Sequence, residues 1–197
     1  MELLRTPSRS AVHRGAITLL EAAIYIVIAL VVLTVAMTQG GSLFNRNDAS
    51  TEFSNAAELM SNARSMLKTS GTYNFTGADD MTGALIQFGG APANMTVVGS
   101  KGSGTAKLQN LWGGTVTLQP VATTGGQNST FSLTYAAVPQ EACITLATKL
   151  SAAPNVVTTQ VNGTTTHGPV AASAIGAQCT TDNSAEGQNT LTFTSNT

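Results

Sequence analysis

The chain has 197 residues, 9 Lys plus Arg against 10 Asp plus Glu, a formal net charge of -1 and only 10% charged residues. This length supports one globular core of about 130 to 150 residues plus an appendage, and the lack of a basic field excludes nucleic-acid binding driven by counterion release. After residue 70, Thr, Ser, Gly, Asn and Ala dominate, a composition of short strands and turns in an exported domain rather than of long cytosolic helices.

Residues 1–14 hold Arg5, Arg9, Arg14 and His13 against one acid, Glu2, with no apolar periodicity. They form a short basic leader whose charge favours the cytoplasmic side of a membrane. The run from Ile17 to Thr38 would span about 33 Å as a helix, close to the ~30 Å hydrocarbon thickness of a bilayer. It is apolar on every face, whereas a soluble amphipathic helix keeps one face for water. Its single charge, Glu21, has one bland explanation: Thr18-Leu-Leu-Glu21 has the spacing of a helix-capping box. A secretory signal would place a small-x-small cleavage site after the apolar core, and none is convincing between Val35 and Gly41.

Gly40 and Gly41 loosen this segment. Beyond them Ser50 or Thr51 offers a cap, and Phe53, Ala56, Ala57, Met60, Ala63 and Leu67 recur at helical spacing up to Gly71. The preferred reading is one long bent helix, buried all round in its first half and packed by one face in its second. The remainder is sheet-like. Residues 111–120 and 128–138 alternate as a hairpin about Gly125-Gly126. Pro139 and Glu141 open a helix that ends before Pro154 and carries Cys143 in its first turns. Asn162-Gly163 is a two-residue hairpin signal. A short helix before Cys179 delivers that residue, and a last strand follows with Leu191 and Phe193 on one face. No internal repeat is visible.

Cys143 and Cys179 are an even number in an exported domain, so a disulfide is the leading reading, with two buried thiols as the alternative. Asp79-Asp80, in a Gly/Thr loop, read as solvated acids rather than a cation site. His167 lacks a nearby Cys, Asp or second His and reads as a loop histidine, not a metal ligand. Trp112, the only tryptophan, reads as a core anchor beside the Gly113-Gly114 turn. The Asn-x-Ser/Thr triplets at Asn74, Asn94, Asn128 and Asn162 are what the abundance of these residues gives by chance. No Ser/His/Asp or Cys/His set, metal cluster or cofactor motif is evident, and the chain does not read as an enzyme.

The basic leader, small residue, "ITLLE" and uncharged helix resemble the start of a type IV pilin precursor. In that family a prepilin peptidase cuts on the cytoplasmic side, usually after Gly, and N-methylates the new terminus. The resemblance places the cut among Gly15, Ala16 and Ile17. Cleavage after Ala16 makes Glu21 the fifth mature residue, the family's position for its acid; cleavage after Gly15, the residue type the peptidase requires, makes it the sixth. The latter is slightly favoured. "LQNLWGGTVTL" resembles the Asn-Pro-Trp/Phe-Gly-Gly turn of type IVb pilins, with Leu111 in place of proline and Trp112, Gly113 and Gly114 retained. "EACITLATKL" resembles that subgroup's Cys-bearing helix, and the Cys143–Cys179 spacing suits its disulfide-bounded C-terminal region. Together these features most resemble the major type IVb pilins of thin conjugative or enteric adhesion pili.

The resemblance implies an α+β fold: a long N-terminal helix, apolar in its first half, packed on an antiparallel sheet. It divides the chain into a leader (1–15), a transmembrane and assembly segment (16–41) and a globular domain (42–197). The expected partners are other copies of the chain in a homopolymer, prepilin peptidase, the pilus assembly machinery and, before assembly, the bacterial inner membrane. No cofactor and no direct nucleic-acid contact are expected. Glu21 would pair with a neighbouring subunit's N-terminal amine, and the product would be an extracellular filament for attachment, aggregation or mating. A pseudopilin of a type II secretion system would share the leader but usually has a smaller globular part. A signal-anchored adhesin would keep its first residues.

Overall fold

The computed structural model describes residues 19–182 and 187–196, with backbone alone for 19–22 and 30–46. The chain divides at Gly41/Ser42 into two units. Helix α1, Leu19–Met66, is assigned across that division, as one helix rather than two. Ser50 and Thr51 therefore lie inside it and are not caps: the Thr51 hydroxyl donates to the Asn47 carbonyl at 3.1 Å. The helix also stops before Gly71. Thr69 and Thr72 exchange backbone hydrogen bonds of 2.9 and 3.0 Å across a turn whose Ser70 and Gly71 have φ of 50 and 86°, so Gly71 shapes the turn after the helix rather than its cap.

In the second unit, α1 buries Ala49, Ala56, Leu59, Met60 and Ala63, with Leu67 just beyond. The expected stripe is thus shifted slightly, because Ala57 is exposed and Leu59 is not. After α1 come α2 (Ala78–Gln87), β1 (Thr96–Val98), a 3-10 turn, β2 (Lys107–Gln109), β3 (Thr115–Val121) and β4 (Thr130–Val138). Then follow α3 (Gln140–Ser151), β5 (Val156–Val161), β6 (Thr164–His167), α4 (Ala172–Gly176) and β7 (Asn189–Ser195). Helix α2 was not expected, and Asp79 and Asp80 form its acidic first turn rather than part of a loop. Its interior Gly83 lies against the Gly104 carbonyl, where any Cβ would collide. His167 likewise lies in a strand, opposite Thr158.

The seven strands form one antiparallel sheet in the order β1-β2-β3-β4-β7-β5-β6. Register sorts its residues by polarity. Leu118 lies opposite Leu133 and then Phe193, while Val116 lies opposite Tyr135 and then Leu191 and Val161. These all fall on one face, since strand side chains alternate, and they are buried. The other face carries the row Thr117, Thr134, Thr192, Gln160 and Thr165. Helix α2 packs on β3, and α3 on β5 and β7. Beyond the short β2, the Leu118 amide finds no strand partner and donates instead to the Thr82 hydroxyl of α2 at 2.8 Å.

The last strand thus sits in the middle of the sheet, pairing with both β4 and β5. Phe193, fully buried there, should be among the most sensitive core positions. Phe193→Ala is expected to destabilise the protein by about 3 to 5 kcal/mol; denaturant unfolding checks this, and a loss under about 1 kcal/mol would mean β7 is not central to the core.

Candidate functional site: the turn, the disulfide region and the exposed helix segment

The segment Asn110–Gly114 folds around one buried amide side chain. Asn110 Oδ1 accepts hydrogen bonds from the Trp112 amide (3.0 Å) and the Gly114 amide (2.8 Å), while its Nδ2 donates to the Ala136 carbonyl at 2.8 Å. Its backbone amide donates to the Gly114 carbonyl at 2.9 Å. Gly113 has φ of 79°, a conformation that favours glycine. Gly114 passes so close to β4 that a Cβ would overlap the Ala136 carbonyl. At that point β4 itself is irregular: Ala137 has φ of 53° and the β4–β7 register shifts between Tyr135 and Val138. Turn and bulge therefore fit one another. Trp112 is partly buried against the core, and its Nε1 makes no hydrogen bond. Helix α1 touches this turn too, because the Leu111 amide donates to Glu52 Oε1 at 2.7 Å.

Cys143, in the first turns of α3, is bonded to Cys179, with Cα atoms 6.0 Å apart. The Cys179 amide donates to the Ile175 carbonyl of α4 at 3.0 Å. Both Asp182 carboxylate oxygens accept from the Gln140 amide at the start of α3, at 2.8 and 3.0 Å. Asn189, fully buried, donates to the Val138 and Thr180 carbonyls and accepts from the Thr180 amide and Asn162 Nδ2. Asn162, at φ of 48° in the hairpin turn, also donates to the Gln178 carbonyl. The 178–182 segment is thus tied to α3, to the β5–β6 hairpin and to β7 as well as through sulfur.

In the first unit, residues 23–29 are exposed on every face, with Tyr25, Ile26 and Val27 each at 59% or more. Glu21 lies in the helical backbone of α1, and its side chain is outside the described residues, as are Gly15, Ala16, Ile17 and Thr18 entirely. Among the described residues no helix is long and apolar enough to cross a membrane; the run 17–38 contributes only 23–29 to the fully described part. Among the described residues, too, no three His, Cys, Asp or Glu side chains gather as for a metal ion.

Three polar residues of these sites carry no motif in the sequence: Glu52, Asp182 and Asn189. Asn110 heads the turn motif, and Glu52 leaves a fainter signal, an acid three and four residues from the buried Ala49 and Ala56.

A long helix whose second half packs on one face of an antiparallel sheet, with a disulfide-bounded C-terminal region, defines a type IVb pilin. The profile described as PilS N terminal matches residues 46–196, and the chain belongs to that family. A crystal structure of type IVb pilin from Salmonella typhi superposes with a TM-score of 0.64 at 38% identity, covering 73% of this chain and 97% of the other. An NMR structure of the Salmonella typhi type IVb pilin PilS gives 0.51 at 36% identity, covering 75% and 95%. No curated protein matches significantly.

Two outcomes follow from the geometry. A Cys143→Ser, Cys179→Ser double variant should lose about 4 kcal/mol, the chain-entropy value for a loop of this size, seen as a lower melting temperature under oxidising conditions; an unchanged melt would show the bond to be dispensable. Gly114→Ala should cost about 1 to 3 kcal/mol through overpacking, whereas Gly102→Ala, where a Cβ meets nothing within 4 Å, should cost less than half as much in the same assay.

Proposed function

We propose that the chain is the major structural subunit of a type IVb pilus, held in the bacterial inner membrane as a precursor and assembled into an extracellular filament. The observation that carries this reading is the exposure of the apolar residues 23–29 on every face of α1. A helix hydrophobic all round needs an apolar surround. Lipid supplies it to the precursor, and the same segments of other copies supply it in the filament. Little hydrophobic cost then opposes transfer from one to the other.

Prepilin peptidase removes the basic leader after Gly15 or Ala16 and methylates the new amino terminus. Glu21 is costly at depth in lipid when charged, about 2.5 to 3.5 kcal/mol, and less so near the interface. In the filament it pairs with the N-terminal amine of a neighbour, which removes most of that cost and penalises any subunit out of axial register. The role is structural, with other copies and the assembly machinery as partners, and the filament serves attachment, aggregation or mating.

Mass spectrometry of sheared filaments should find a methylated terminus at Ala16 or Ile17; Met1 to Arg14 retained in filaments would contradict the reading. Glu21→Gln should leave insertion and leader cleavage intact but lower the ratio of filament to processed membrane pilin about tenfold or more, since breaking a buried pair costs about 3 to 5 kcal/mol. Gln can still close a capping box, so normal piliation by this variant would favour the cap and refute the pairing.

A further inference from the structure

Helix α1 carries an acid on the side it buries. Glu52 is fully buried, within the stripe that includes Ala49, Ala56 and Leu59. Its Oε1 accepts one hydrogen bond, from the Leu111 amide at 2.7 Å, and its Oε2 has no partner. The groups that act on it are Asp48 and Asn55 from α1, Tyr135 from β4 and the Leu111 amide from the turn; among the described residues no lysine or arginine does so. Asn55 Nδ2 and the Tyr135 hydroxyl are themselves buried without a hydrogen-bond partner.

This is a poor setting for a carboxylate. A carboxylate would hold the Leu111 bond with the Asn55 and Tyr135 donors near, but it would be fully buried, face no cation and feel the repulsion of Asp48. A neutral acid keeps the Leu111 bond at its carbonyl oxygen without the cost of burying a charge. We propose that Glu52 is a proton-dependent clasp: as a neutral acid it fastens the 42–66 half of α1 to the Asn110–Gly114 turn, and its ionisation loosens that seam. The clasp depends on the residue at 111. Leu111 supplies the N–H that Glu52 accepts, which a proline at this position would lack.

Burial pushes the Glu52 carboxyl above its ordinary value of 4.5, against the opposing pull of the Leu111 amide, Asn55 and Tyr135. Burial, with Glu52 beside it, pushes the Tyr135 hydroxyl well above its own ordinary value. For an acid shifted upward, the folded chain holds its proton after the unfolded chain has released it. Stability is therefore full below about pH 4.5 and falls as pH rises through the folded value, opposite to the behaviour of a salt-bridged carboxylate.

The test uses the full chain in detergent micelles with its disulfide intact. The glutamate Cδ resonances and the Leu111 amide resonance are followed by NMR from pH 3.5 to 8. The expected result is one glutamate and the Leu111 amide titrating together with a midpoint above 4.5, lowered in Asp48→Asn and abolished in Glu52→Gln. Glu52→Gln should also flatten the fall in melting temperature between pH 4.5 and 8 by about 2 to 4 °C or more. A Glu52 midpoint at or below 4.5, or a Leu111 amide that does not titrate with it, overturns the proposal. If Glu52→Gln does not accumulate, the wild-type Leu111 titration decides alone.

Discussion

Everything in the globular unit depends on burial of one stripe of α1, from Ala49 to Leu67, against the apolar face of the sheet. The sheet can bury that face only because its register keeps the face continuous: Leu118, Leu133 and Phe193 lie in one row, and Val116, Tyr135, Leu191 and Val161 in the next. A slip of one residue in β4 or β7 would turn these rows toward solvent and bring Thr134 and Thr192 inward. The irregularity between Tyr135 and Val138 falls where the Asn110–Gly114 turn abuts β4, so the bulge and the turn that fits it help fix the register.

Polar side chains then supply what the short elements cannot. Thr82 serves the Leu118 amide beyond the end of β2, Asn110 serves the turn, and Asn189 and Asp182 hold the segment that carries Cys179. Buried groups of this kind contribute modestly when paired but are costly to strand. The disulfide acts differently, chiefly on the unfolded chain. Glu52 differs from these four in that its second carboxyl oxygen is buried and unpaired.

Much of this was legible in the sequence, element by element. Asn162-Gly163 marked the β5–β6 hairpin, Pro139 marked the start of α3, and the alternation of Leu191 and Phe193 marked β7, because each signal is local. Helix α2 was not read. Its Thr82 and Gly83 are poor helix formers, present because one completes β3 and the other lets the Gly104 carbonyl approach. Strands β1 and β2, of three residues each, are too short to show a period. The sheet order could not be read at all, since placing β7 between β4 and β5 depends on contacts distant in sequence. Glu52 is hard to read because a helical stripe shows in sequence through its apolar members.

The proposed function requires that the apolar segment of α1, exposed at 23–29 among the described residues, be covered by lipid first and by other copies later. A photo-crosslinking amino acid at Val27 tests this most directly. The account predicts adducts with lipid in membrane-bound pilin and with a second pilin chain in sheared filaments. Crosslinks confined to residues of the same chain in both states would contradict it.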